Sequence, residues 1–226
     1  MNQEVANSSL ETLQEIRSMM QRSARFLTLS GWSGIWAGSI ALAGAAIARM
    51  WILQESAYVT AAERSGRIDA VPVDYSDYNI EYVFRFMILA LGVFILALGG
   101  GYFFTLRKNQ KLGIKVWNPA SRKMLVNLAI PLAAGAFICL AFIWHGHWIY
   151  VAPACLLFYG MALINSSKYT LMDVRYLGLL EILLGCAGLL FPGWGLYLWA
   201  TGFGLLHILY GIIMWRKYDN IDEKRA

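Results

Sequence analysis

Runs of about 20 apolar residues, each carrying one charge or none, recur along this 226-residue chain. As a helix, each is long enough to cross ~30 Å of hydrocarbon. With 58% of the chain apolar, little is left over for a soluble core. The spans built on these runs, two of them with a charged pair near one end, fall at about 26–53, 81–106, 119–144 and 148–164. Two more lie between Arg175 and Lys217, joined by Pro192-Gly193-Trp194-Gly195. The expected fold is all-α: a polytopic membrane protein of six transmembrane helices in three antiparallel hairpins.

Charge supplies the orientation. Of 19 Lys and Arg, 15 lie before the first run, in the second and fourth connections, or after the last run. The others are Arg49, Arg64, Arg67 and Arg85. Basic residues are retained on the cytoplasmic side, so both ends are expected inside. Trp144, Trp148, Tyr150 and Trp194 then mark the outer boundary, and Trp117 and Trp215 the inner one. The expected organisation is a cytoplasmic amphipathic helix and tail (1–25), a membrane domain (26–216) and a cytoplasmic tail (217–226). The domain would carry an external loop (54–80) and a basic cytoplasmic loop (107–118).

Local signals refine this plan. Ser8 and Glu11 form a capping box for a helix whose stripe of Leu10, Leu13, Ile16 and Met20 suits a lipid surface, or a soluble partner. Gly31, Gly34, Gly38, Ala41, Ala45 and Ala48 put a small-residue stripe on the first span, which should therefore pack inside the bundle. Ala46-Ile47-Ala48 imitates a signal-peptidase site. The apolar stretch before it exceeds the usual ~7–15 residues, so a retained anchor is expected. Asn118-Pro119 starts the third span as N-cap and first helical residue, and Thr170 and Asp173 should cap the fifth.

Several chemistries find no support. There is no Gly-x-Ser-x-Gly elbow, His-Glu-x-x-His helix or Walker motif, and Gly99-Gly100-Gly101 lacks the strand and the Lys-Ser or Lys-Thr of a phosphate loop. The +5 net charge follows membrane topology, so no nucleic-acid partner is expected. Cys139, Cys155 and Cys186 all sit in apolar runs and read as small packing residues. His145 and His147 lie at the outer edge, whereas His207 is about 12 residues, or ~18 Å, deeper, so one haem iron could not be held between them. Neither cofactor nor metal is expected.

The most informative polar residues are Glu181 and His207. The turn between the last two runs is centred between residues 193 and 194. Glu181 stands 12.5 residues before that point and His207 13.5 after it, which puts them at nearly the same depth. Each lies on a small-residue stripe: Gly178, Gly185 and Gly188 beside Glu181, and Ala200, Gly204 and Gly211 beside His207. The stripes suggest that these helices pack on each other through them. An intramembrane carboxylate level with an imidazole is a functional-site hypothesis by default. The cheapest buried form is a neutral hydrogen-bonded pair, a polar clip; a proton relay or substrate site is the alternative. Asn127 and Asn165, each 19 residues from Gly146, form a second level pair near the inner surface. Arg107, Lys108, Lys111, Lys115, Arg122 and Lys123 are candidate contacts for anionic lipid head groups, although they also enforce topology.

The run Glu15-Ile-Arg-Ser-Met-Met-Gln-Arg-Ser-Ala-Arg-Phe, with Leu29-Ser-Gly-Trp-Ser-Gly and Ala37-Gly38, resembles an uncharacterised group of small multi-span inner-membrane proteins from Bacteroidetes bacteria. The likeness is clearest over residues 10–50 and looser through Asn118-Pro119 and the basic second connection. It implies a bacterial inner membrane and carries no activity with it. Two function classes follow. One is a non-enzymatic subunit, sensor or regulator acting by association with itself or with a membrane or cytoplasmic protein. The other is a small proton-coupled transporter or channel using Glu181 and His207.

Overall fold

A computed structural model describes residues 30–64, 80–111, 113 and 116–219. Among them the chain is all-helical. The elements are α1 (Gly31–Arg64), α2 (Ile80–Lys111), α3 (Pro119–Trp144), α4 (Val151–Ser166) and α5 (Asp173–Leu190). A final rod, Pro192–Asp219, contains α6 (Gly195–Trp199), a π-helical stretch (Ala200–Leu206), α7 (His207–Met214) and a second π stretch (Trp215–Asp219). Five segments are long and apolar enough to cross a membrane: Gly31–Tyr58, Val83–Lys111, Pro119–Trp144, Trp148–Tyr169 and Pro192–Asp219. Helix α5 is the exception, with 18 residues that include Asp173, Arg175 and Glu181.

Unlike a soluble protein, the chain covers its outside with large apolar side chains, and polar groups share the interior with aliphatic ones such as Leu156 and Met214. Phe84, Ile88, Leu91 and Phe94 on α2 and Phe137 on α3 are all more than half exposed, while Asn109, Thr170 and Glu181 are fully buried. Apolar surface on that scale is stable only against hydrocarbon or a partner. The chain is a multi-pass helical membrane protein.

The helices neighbour one another in the order α2, α1, final rod, α5, α4, α3, with α4 also touching the rod. Glycine makes the close contacts. A Cβ on Gly34 would lie 3.0 Å from the Gly211 Cα, and one on Gly38 would lie 2.5 Å from the Gly204 carbonyl oxygen. A Cβ on Gly160 would lie 2.6 Å from the Gly178 carbonyl oxygen. Gly100 makes room for a ring instead of a backbone. A side chain there would overlap the Trp36 indole, whose Nε1 donates to the Leu96 carbonyl at 2.9 Å. The second span thus admits a tryptophan from α1 at this glycine.

Element ends depart from the sequence reading in four places. The expected loop over 54–80 begins as helix, because α1 continues to Arg64; residues 65–79 lie outside the described region, as do residues 1–29. The loop placed at 107–118 starts later, since α2 runs to Lys111 and keeps Arg107, Lys108 and Lys111 on its last turns. The tail placed at 217–226 is helical through Asp219. Finally, α5 has Met172 as N-cap with no side-chain cap; the Asp173 carboxylate instead accepts from Lys217 Nζ (2.7 Å) and Tyr218 Oη (2.9 Å). A partner able to supply two donors outcompetes a local cap that satisfies one backbone N–H. The Asn118 cap does form, and reciprocally: Ser121 N donates to Asn118 Oδ1 (2.8 Å) and Asn118 N to Ser121 Oγ (2.9 Å).

Two glycine classes therefore respond oppositely to the same change. Gly38→Ala pushes a methyl into the rod backbone and should destabilise by about 1–3 kcal/mol. Gly92 and Gly99 have nothing within 4 Å of an added Cβ, so Gly92→Ala should be neutral or stabilise by up to about 1 kcal/mol through helix propensity. Thermal unfolding in detergent, comparing both variants with the parent, checks the sign of each.

Candidate functional site: a buried Glu–His–Tyr cluster

Glu181 projects from the middle of α5 and has no accessible surface. Across from it, His207 opens α7 directly after the π-helical stretch. Its Nδ1 lies 3.0 Å from the Gly202 carbonyl oxygen, five residues back, and 3.5 Å from Glu181 Oε1. Its Nε2 lies 2.7 Å from Tyr159 Oη on α4. Since a carbonyl can only accept, Nδ1 carries the proton; in a neutral ring Nε2 then accepts from the tyrosine hydroxyl. Both ring nitrogens are engaged without the carboxyl group.

Glu181 and His207 thus meet, as level depths suggest, but not as a direct hydrogen bond. The 3.5 Å separation is that of neighbouring charges or dipoles, and neither Glu181 oxygen has a hydrogen-bond partner. An unpartnered buried carboxyl group costs about 1–3 kcal/mol, more if charged. Gly202 is what admits it: a Cβ there would overlap Glu181 Oε2 and press on Leu156. Aromatic rings close the remaining sides. Phe203 stacks on the imidazole (5.8 Å, 12°) and tilts against Tyr159 (4.8 Å), with Trp199 behind it (5.1 Å). The arrangement can hold or exchange a proton between groups already in place.

The route by which the pair meets corrects one expectation. The two small-residue stripes do not pack on each other. Gly178, Gly185 and Gly188 face α4, meeting Gly160, Leu157 and Pro153, whereas Gly204 and Gly211 face α1, meeting Leu42 and Ile35. Each stripe makes its close approach to a different helix, and the carboxyl group reaches the imidazole beside Gly202, which belongs to neither.

The other candidates fall as follows. The Asn165 amide donates to the Asn127 backbone carbonyl (2.8 Å), while Asn127 Nδ2 donates to the Lys123 carbonyl (2.8 Å). The level amides are joined side chain to backbone. Within the basic set, Lys108 is not a head-group contact: its Nζ donates to Asp219 Oδ1 at 2.7 Å, and both side chains are only 11% exposed. Arg107, Lys111, Arg122 and Lys123 are exposed, and Lys115 lies outside the described residues. His145 and His147 flank Gly146, whose positive φ of 76° turns the chain between α3 and α4. Among the described residues no three His, Cys, Asp or Glu side chains gather as around a metal ion.

Two participants escaped sequence reasoning. Tyr159 reaches His207 from a helix that is not its sequence neighbour, so hairpin arithmetic could not pair them. Gly202 had a signal, standing two residues before Gly204 of the His207 stripe in a Gly-Phe-Gly run, but without a structure nothing distinguished it from a packing glycine. No protein-family model, curated protein or solved structure matches the chain.

The overlap at Gly202 makes a paired test possible. Gly202→Ala alone should destabilise by about 1–3 kcal/mol. In a Glu181→Ala background part of that penalty should vanish, leaving a coupling of at least about 0.5 kcal/mol in a double-mutant cycle measured by thermal unfolding.

Proposed function

We propose that this chain is a six-span protein of a bacterial inner membrane, with both ends cytoplasmic, that works by association rather than catalysis, as a membrane subunit, sensor or regulator. One observation carries the functional part: Glu181, the acidic group seated deepest among the helices, has no surface that a water molecule can touch. A transport path needs a polar route to its binding group. Here Leu156, Gly202 and the His207 ring, itself covered by Phe203, stand around it. The surface hollows lined by Ser56, Thr60 and Arg64, and by Trp51, Gln54 and Arg85, lie along α1 and α2, away from α5. A closed polar cluster of this kind fixes how α4, α5 and the rod fit together.

The sixth crossing is supported by the pairing of α5 with α4. Gly188 meets Pro153, Gly185 meets Leu157 and Gly178 meets Ile164, so α5 runs antiparallel along most of a helix long enough to span. The inside position of both ends is supported by the basic residues around 107–123 and after 215, and the choice of membrane by the resemblance to the Bacteroidetes group. The surfaces left for partners are the N-terminal segment, the basic second connection and the acidic first loop. They suit a second copy or another membrane or cytoplasmic protein.

The unpartnered Glu181 oxygens favour a second reading, in which the Glu181–His207–Tyr159 chain carries a proton and the protein is a small proton-coupled transporter or channel. Purified protein in liposomes separates the two. Association predicts no uptake driven by a pH gradient, and Glu181→Gln that folds and assembles like the parent; gradient-driven uptake abolished by Glu181→Gln would promote the transporter. Topology is checked by single cysteines in a background freed of the native ones. Ser65→Cys should react with an impermeant maleimide from outside, and Gln110→Cys only after the membrane is opened.

A further inference from the structure

Cys139 on α3 and Cys155 on α4 take no part in the buried cluster, and the structure brings them together. Their Sγ atoms are 3.7 Å apart, and Cys139 Sγ also lies 3.8 Å from the Val151 carbonyl. The backbones converge here. One turn further from the α3–α4 turn, Gly135 faces Phe158 so closely that an added Cβ would overlap the Phe158 Cβ. Both residues are half-buried, and α3 also carries Leu140 and Phe137 to the outside. Cys139 lies five residues before Trp144 and Cys155 five after Tyr150, so the pair sits ~8 Å below the turn on the hydrocarbon side.

We infer that Cys139 and Cys155 form a redox-active dithiol that a lipid-soluble quinone oxidises to an intramolecular disulfide. In the reaction the two S–H bonds break and one S–S bond forms. The two protons and two electrons go to the quinone, whose two carbonyl oxygens become the hydroxyls of the quinol. The location selects this oxidant. Exchange with a soluble disulfide runs through a thiolate, and an unpaired anion is costly in hydrocarbon. Net transfer of two hydrogens to a quinone leaves no charge behind. The product is a covalent tie between α3 and α4 near their turn, which gives the protein two chemical states readable by a partner. Cys186, exposed on α5 and absent from this contact, is an internal control.

The test uses the full-length protein in lipid nanodiscs, reduced and then freed of reductant. It is exposed to a quinone substituted at every ring position, so that thiols cannot add to the ring, or to oxidised glutathione. Alkylation after denaturation and intact mass then count the remaining thiols. The expected result with quinone is loss of two of the three thiols, a cross-linked peptide joining residues 139 and 155, and one quinol formed per chain. Oxidised glutathione should act far more slowly. Cys139→Ser and Cys155→Ser should each abolish the loss, and Cys186→Ser should leave it unchanged. Three alkylatable thiols after quinone treatment would overturn the inference, as would a loss that persists in Cys139→Ser or a disulfide joining two chains.

Discussion

Helix against helix at glycine is the contact on which the rest of this molecule depends. Inside a bilayer, burying apolar side chains supplies no net drive, because lipid tails are as apolar as leucine. What remains is dispersion between closely fitted surfaces, together with a few polar contacts. Gly34 and Gly38 against the rod, and Gly160 against Gly178, bring main chains so near that a methyl group would intrude. The order of the helices, and through it the meeting of Tyr159, Glu181 and His207, follows from which glycine faces which backbone.

The same logic explains why polar groups lie inside among aliphatic ones such as Leu156 and Met214, while large apolar side chains cover the exterior. The fully buried side chains include Glu181, Asn109 and Thr170, whereas Phe137 and Leu183 point outward. Polar groups removed from water need partners within the protein. His207 satisfies this in full through Gly202 and Tyr159, and Asn165 through the Asn127 carbonyl. Glu181 does not, and its two idle oxygens, like the Tyr210 hydroxyl, mark an unmet demand.

Much of this was legible from residues alone, for identifiable reasons. Apolar run length reports bilayer thickness, so the spans are readable. Helical rise is constant, so two residues equidistant from a tight turn end up level; hence Glu181 lies beside His207. Asn118-Pro119 is local chemistry and behaves locally, down to the reciprocal bonds with Ser121. What could not be read is partner choice between helices distant in sequence. Both small-residue stripes looked fit for each other, yet α4 and α1 took them. Lys108 looked like one more basic surface residue until Asp219, 111 positions later, occupied it. The extension of α1 to Arg64 was hidden because a polar sequence at the end of a span reads equally as loop or as helix emerging from the membrane.

Asp219 has a consequence in time. Its carboxylate receives Lys108 Nζ from the end of α2 and, on the other oxygen, the Gly31 amide (3.0 Å) and Ser30 hydroxyl (3.4 Å) at the start of α1. One residue at the end of the rod thus secures the first described helix, 188 positions earlier. On a ribosome this bond is unavailable until the whole rod has been made. The α1–α2 and α3–α4 hairpins can assemble as they emerge, but the face of α1 that carries Gly31, Gly34 and Gly38 must wait for the rod. Until the rod arrives that face of α1 stays open, and a quality-control protease would find there the mark of a bundle not yet closed.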